Sequence, residues 1–296
     1  MKKELKFNNG EIVPIIGLGT WQSEPNVVAQ AVEYAITQSG YKHIDCASAY
    51  QNQAEIGQVF NKIIGNKIKR KDLFVTSKLW NTDHHPDKVL LACKKTLTEL
   101  QLDYLDLYLV HWGLPFKNET GSKFENVSIR ETWQAMEQLV KKGLVKSIGV
   151  SNFTTMMIFD LLTYAKIKPT NNQIELHPYN NQQALVEYCQ NQGITVTAYS
   201  PLGGRIGHDT VHLLENKTIG DIADKYKKSP SQILINWAIN RKTIVIPKST
   251  HFPRILENSQ VFDFSLTSKE MKMINDLNQD YRTCDPANFW GIPYFR

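Results

Sequence analysis

The chain has 296 residues, with 34 Lys and Arg against 29 Asp and Glu, a formal charge of +5. That length would divide into two average domains, but α/β barrels commonly occupy it as one, so a single domain over residues 1–296 is expected. Basic residues are scattered apart from Lys69-Arg70-Lys71, which argues against nucleic acid or a membrane surface as partner, and no apolar run approaches the ~20 residues of a spanning helix.

Met1 to Leu5 carry positive charge but run into Phe7-Asn8-Asn9-Gly10 rather than an apolar stretch, so no secretory signal is predicted and a cytoplasmic location is expected. Leu5 to Phe7 and Glu11 to Val13, joined by Asn8-Asn9-Gly10, predict a β-hairpin with an Asn-Gly turn. Beyond it, short apolar runs alternate with amphipathic stretches, the pattern of βα units around a parallel sheet. Strands are predicted to end near Gly19, Asp45, Lys78, His111, Ser151, Glu175, Ser200 and Pro247. From the second end to the seventh the spacings are 33, 33, 40, 24 and 25 residues, each enough for a loop, a helix and the next strand. Eight such units predict a (β/α)8 TIM barrel of the α/β class, with the hairpin as an N-terminal cap plugging its bottom.

The intervening helices carry their own boundary signals. Pro25 and Pro230 stand where a first helical residue would, the latter after Ser229 as N-cap, and Gly143 follows Lys141-Lys142 as a stop. Leu90, Cys93, Leu97 and Leu100, and then Trp133, Met136 and Val140, form apolar stripes that predict core packing. Two connections are longer than the rest, one from His111 to about Val127 and one from Ser200 to about Asn216. Both follow strand C-terminal ends, the face where barrel enzymes keep their sites. Cys46, Cys93, Cys189 and Cys284 form no C-x-x-C pair and are expected as free thiols.

The informative residues are those that terminate the apolar runs. Asp45, Lys78 and His111 end the second, third and fourth strands, and Tyr50 follows Asp45 in the loop on the same face. Singly, Asp45 and Lys78 read as a structural ion pair, Tyr50 as a rim aromatic and His111 as a core histidine. Together they make a chemical set. A Lys78 ammonium paired with buried Asp45 would lower the Tyr50 phenol from its reference pKa of ~10. A phenol so tuned can donate a proton to a carbonyl oxygen, which His111 could orient.

Aromatic residues gather on the same loops: Trp21, Trp80, Trp112, Phe116 and, near the C-terminus, Phe289, Trp290, Tyr294 and Phe295. They predict an apolar pocket for a small carbonyl substrate. Gly17-Leu18-Gly19 lacks the third glycine of a Rossmann fingerprint. Gly203-Gly204 with Gly207 could let the backbone approach a pyrophosphate, and Lys248, Ser249 and Arg254 follow the eighth strand, where barrels often bind phosphate. His208 with His212, and His84-His85, lack the companions a metal site needs, and none is expected.

These residues resemble the aldo-keto reductase superfamily. The resemblance rests on Gly17-Leu18-Gly19-Thr20-Trp21, the stretch from His43 to Tyr50, Ser77-Lys78-Leu79-Trp80-Asn81, Leu102 to Leu107 with His111-Trp112, and Gly149-Val150-Ser151-Asn152-Phe153. It continues through Asn172-Gln173-Ile174-Glu175 with His177-Pro178, Tyr199-Ser200-Pro201-Leu202-Gly203 and Ile246-Pro247-Lys248-Ser249, and covers the chain from about residue 5 to its end. It implies Tyr50 as general acid, Lys78 and Asp45 as the groups that tune it, and His111 as the residue that orients the carbonyl. It further implies that Ser151, Asn152 and Gln173 hold a nicotinamide carboxamide, that Tyr199 stacks on the ring, and that Ser200, Leu202 and Gly203 line the pyrophosphate. Lys248, Ser249, Arg254, Glu257 and Asn258 would take the adenosine end, and Gly19 and Thr20 complete the cofactor set. Trp21, Trp80, His111, Trp112, Phe116 and Trp290 would contact substrate. Two departures concern the cofactor: Gly204-Arg205-Ile206-Gly207-His208 lacks the Asp of a clasping loop, and position 251 is His where Thr or Asn is common.

The expectation is therefore a monomeric oxidoreductase that reduces aldehydes or ketones, aldoses among them, with NADPH, NADH being the alternative. The competing readings are a dinucleotide-binding barrel acting as a regulatory or structural subunit, and a phosphate-substrate lyase or isomerase on the same scaffold.

Overall fold

The computed structural model describes residues 2–23, 26–206, 209–210 and 212–295. It opens with an antiparallel hairpin, β1 (Glu4–Lys6) and β2 (Ile12–Pro14), in which Leu5 faces Val13. The strands lie one residue further from the turn than the predicted runs, in the same register. The Phe7 N–H donates to Glu11 O at 2.9 Å and the Gly10 N–H to Phe7 O at 3.0 Å, so Asn8, Asn9 and Gly10 form a three-residue loop. Gly10 supplies its left-handed last position, at φ 96.

Eight parallel strands follow: β3 (Leu18–Gly19), β4 (His43–Asp45), β5 (Phe74–Leu79), β6 (Leu105–Val110), β7 (Val145–Ser151), β8 (Asn171–Glu175), β9 (Thr195–Tyr199) and β12 (Ile244–Val245). Each pairs with the next, and a parallel bridge between Ile16 and Val245 joins the last strand to the first and closes the (β/α)8 barrel. Every residue of β5 and β6 is buried, as expected for parallel strands with helices on one side and a filled interior on the other. At the lower end Phe7 and Val13 of the hairpin pack with Phe74, Leu107, Leu109 and Ile244, so the hairpin is the plug the apolar pattern predicted.

Around the barrel run α1 (Val27–Thr37), α2 (Gln53–Ile63), α3 (Pro86–Leu100), α4 (Ile129–Lys141), α5 (Thr155–Tyr164), α6 (Gln183–Asn191), α7 (Lys217–Tyr226), α8 (Pro230–Asn240), α9 (Phe252–Ser259) and α10 (Ser268–Asn275). Their starts are coded locally. Ser128 with Glu131, Ser229 with Gln232 and Thr267 with Glu270 each make a reciprocal capping box, and Pro230 is the first residue of α8. Gly143, at φ 71, lies just beyond α4. The predicted helix start at Pro25 lies outside the described residues. Cys93, Leu97, Leu100, Trp133 and Met136 are buried, and Leu90 and Val140 pack half-buried at the edges of their stripes.

Strand ends differ from expectation by a residue or two. β5 continues through Leu79, β6 and β9 stop just before His111 and Ser200, and β12 ends at Val245. The connection after His111 is pinched by a bridge between Phe116 and Phe124. That after Ser200, expected as loop, carries the short antiparallel pair β10 (Arg205–Ile206) and β11 (Asp209–Thr210). Gly207 and His208 lie outside the described residues. A short α11 (Pro286–Phe289) follows near the C-terminus.

Candidate active site

Three neighbouring strands deliver the chemical residues to one end of the barrel. Asp45 is the last residue of β4, Lys78 lies next to last in β5, and His111, whose N–H donates to Leu79 O at 3.1 Å, follows β6. Tyr50 closes a single 3-10 turn, residues Ser48–Tyr50, directly after β4. The buried Lys78 ammonium spends its three hydrogens on Asp45 Oδ2 at 2.6 Å, Cys46 O at 2.9 Å and the Tyr50 hydroxyl at 3.1 Å. The other Asp45 oxygen accepts from Gln173 Nε2 at 2.8 Å. The His111 ring stands edge-on to the Tyr50 ring at 5.9 Å and to Trp80 at 5.1 Å.

Charge states follow from this packing. Burial alone would lower the Lys78 pKa, but Asp45 and Tyr50 more than reverse it, so the amine stays an ammonium. Burial and the adjacent Lys78 charge hold His111 well below the ordinary imidazole value, which leaves the ring neutral. For Tyr50 the expected direction is overturned: burial pushes the phenol up to about 12, and the nearby ammonium offsets only part of that. Tyr50 is therefore a phenol throughout the neutral range, with a cation placed to stabilise the anion it would leave.

These groups open into a cavity of about 570 Å³ whose walls include Asp45, Tyr50 and His111. Of the residues expected around a dinucleotide, it brings together Gly19, Thr20, Ser151, Asn152, Gln173, Tyr199, Ser200, Leu202 and Lys248. Tyr199 donates its hydroxyl to Asn152 Oδ1 at 2.8 Å, and Asn152 Nδ2 donates to His111 O at 3.0 Å and Ser151 Oγ at 3.1 Å. Asn152 and Ser200 hold left-handed backbone at φ 64 and φ 47, a strain that non-glycine residues carry where a site requires it. Lys248 reaches from beyond β12 to donate to Gln22 O at 3.1 Å.

Gly203, Ser249, Arg254, Glu257 and Asn258 do not line this cavity. Gly203 is tied into a turn with Ser200, while the other four lie beyond β12, in the loop and along α9. Among the expected substrate contacts, Trp21, Trp80, Trp112 and Trp290 form walls, whereas Phe116 does not line the cavity and is buried against Trp290 with ring centroids 4.9 Å apart. Gln22, Ala49, Pro201, Ile246 and Cys284 also line the space and were not anticipated. No periodic or terminal-residue signal marks Cys284, which reaches the pocket only through the fold of the C-terminal segment. The four cysteines are free, and among the described residues no group of three or more His, Cys, Asp or Glu could hold a metal ion.

Whether this chamber fits a nicotinamide dinucleotide is tested by its donor set. The side-chain amides of Asn152 and Gln173 and the Ser151 hydroxyl share the cavity wall with the Tyr199 ring of β9 and with Lys248. That is an arrangement able to pair a carboxamide, face a planar ring and receive phosphate, so the residues fit.

Comparison with known proteins agrees with this geometry. The aldo/keto reductase family model matches residues 15–279. "Aldo-keto reductase family 1 member A1" of Gallus gallus is 52% identical over 293 residues, 94% of this chain and 89% of that protein. The aldose reductase of Schistosoma japonicum superposes with a TM-score of 0.92 at 45% identity, over 99% of this chain and 98% of the other. An aldo-keto reductase of Bombyx mori, solved in complex with NADP, does so with a TM-score of 0.92 at 40% identity and the same coverage.

Proposed function

The chain belongs to the aldo/keto reductase family, and from that premise we propose that it reduces aldehydes and ketones, aldoses among them, to alcohols with NADPH, Tyr50 acting as the general acid. The observation that carries the reading is the Tyr50 hydroxyl held 3.1 Å from the Lys78 ammonium at the wall of an apolar chamber. Ser151, Asn152 and Gln173 would hold the carboxamide, Tyr199 the face of the ring, Ser200, Leu202 and Gly203 the pyrophosphate. Lys248, Ser249, Arg254, Glu257 and Asn258 would hold the adenosine end, two cations among them suiting a 2′-phosphate. When bound, the reduced cofactor supplies a hydride to the carbonyl carbon.

The protein's part is to position the carbonyl and supply its proton. Neutral His111 offers a hydrogen bond to the carbonyl oxygen, and the phenol transfers its proton to that oxygen as negative charge develops there. The phenolate left behind faces Lys78, whose attraction is stronger for the anion than for the phenol. That difference is what lowers the barrier, because only interactions that strengthen toward the transition state accelerate the step. Asp45 keeps the ammonium in place. Water then returns a proton to Tyr50.

NADPH fluorescence should fall continuously when glyceraldehyde or nitrobenzaldehyde is added to the enzyme. Binding without consumption would favour the regulatory-barrel reading, and no binding at micromolar cofactor would remove both.

A further inference from the structure

Glu175 has no part in the chemistry just described, yet it is the last residue of β8, on the catalytic face, and is fully buried opposite Tyr199 in the neighbouring strand. Its Oε1 accepts from the Thr283 N–H at 2.7 Å and the Thr283 hydroxyl at 2.8 Å, and its Oε2 from the Cys284 N–H at 2.8 Å. His177 Nε2 lies 2.9 Å from Oε1 and must carry the hydrogen there, because a carboxylate can only accept. Burial by itself would raise the pKa of this carboxyl, but the bonds from His177, Thr283 and Cys284 bring it below the ordinary value. A strand-end carboxylate thus grips two consecutive amides of a segment 108 residues away.

That segment builds the pocket wall. Cys284, Phe289 and Trp290 line the cavity, and Trp290 packs edge-on against Trp112 at 5.6 Å. Downstream, the Tyr294 hydroxyl accepts from the Gly113 N–H at 3.1 Å. Upstream, Gln279 and Tyr281 donate to Tyr179 O at 3.1 and 3.0 Å. The wall is therefore suspended between the Glu175 grip and the Gly113 contact, while Asp45, Tyr50 and Lys78 stand on β4, β5 and the turn between them.

We propose that Glu175 is a positioning residue for carbonyl recognition, setting the Thr283–Cys284 backbone and through it the aromatic wall that faces the substrate. The inference rests on the carbonyl-reductase reading and adds to it the residue that sets pocket shape. It follows that weakening the grip alters substrate affinity and selectivity more than proton delivery.

The test compares Glu175→Gln and Thr283→Val with the wild-type full chain. Gln is nearly isosteric but turns an N–H against either the Thr283 or the Cys284 amide; Val removes only the hydroxyl bond, and Thr283→Ser restores it. Glu175→Gln should raise KM for nitrobenzaldehyde about tenfold, on the scale of one lost charge-assisted hydrogen bond. KM for the smaller glyceraldehyde should move less, and kcat should change less than about threefold. Chymotrypsin should cut faster near Phe289 and Trp290. Thr283→Val should shift KM in the same direction by less, and Thr283→Ser should return it toward wild type. Unchanged KM and cleavage, or a fall in kcat with KM unmoved, would overturn the proposal. If Glu175→Gln does not fold, the Thr283 pair decides on the same readouts. A wild-type enzyme that consumes no NADPH with any carbonyl fails the parent reading instead, and the cleavage assay then still shows whether Glu175 holds the segment.

Discussion

Lys78 Nζ lies 2.6 Å from Asp45 Oδ2, with side-chain exposures of 0% and 2%. Such a pair is costly to break from one side, because the survivor is left charged and enclosed. Lys78→Met leaves Asp45 with the Gln173 amide as its remaining side-chain partner, and should destabilise the fold by about 3–5 kcal/mol in urea unfolding. Turnover should fall with it, since the phenolate loses its counter-ion.

Tyr50→Phe removes one oxygen and leaves the ring in place. It should bind NADPH normally and lose at least ~100-fold in kcat, within the range for general acid catalysis. Steady-state kinetics beside a fluorescence titration separates the two effects, and unchanged turnover would remove Tyr50 from its role.

Because burial holds Tyr50 up to about 12, the acid form persists through neutral pH and is lost only as pH rises toward that value. Reduction should therefore show no fall attributable to this group between about pH 6 and 9. Oxidation of the alcohol needs the phenolate as base, so its rate should climb with pH over the same interval. A reduction profile that drops near neutrality would assign the proton to another residue.

Stability should respond to acid in the opposite sense from a salt-bridged histidine. Burial lowers His43 to about 4 and His84 to about 3. Above the ordinary value of ~6.5 both folded and unfolded chains carry neutral rings; below it the unfolded chain takes up protons that the folded one excludes. Stability should be complete above that pH and fall by about 2 kcal/mol per histidine by pH ~5. Urea midpoints from pH 4 to 7 would show it, and His84→Gln should flatten the slope.

Phe7→Ala opens the apolar closure at the end of the barrel away from the chemistry. It should cost about 3–5 kcal/mol and leave KM and kcat at wild-type values, measured by urea unfolding and carbonyl reduction.

What was legible from the amino acids follows physical range. Asp45, Lys78 and His111 could be placed because a polar side chain ending an apolar run is a local signal, and the barrel follows from the spacing of such ends. Capping at Ser229 is local as well. The hairpin keeps the register its two runs imply, Leu5 opposite Val13, with Asn8, Asn9 and a left-handed Gly10 closing the turn. The direction of the Tyr50 shift was not legible, because burial is set by all the surrounding elements and outweighs the single neighbouring charge that sequence order reveals. Cys284 and the grip of Glu175 were hidden for a related reason: a contact across 108 residues leaves no trace in spacing. Phe116, expected at the wall, packs against Trp290 instead, since an aromatic in a loop does not declare which of its neighbours covers it.

Lys78 also sets the chain apart from its other lysines toward reagents. Its amine has no exposed surface, so acylating agents that modify outer lysines should leave it untouched while the chain is folded. Labelling at this position would then report loss of the enclosing structure.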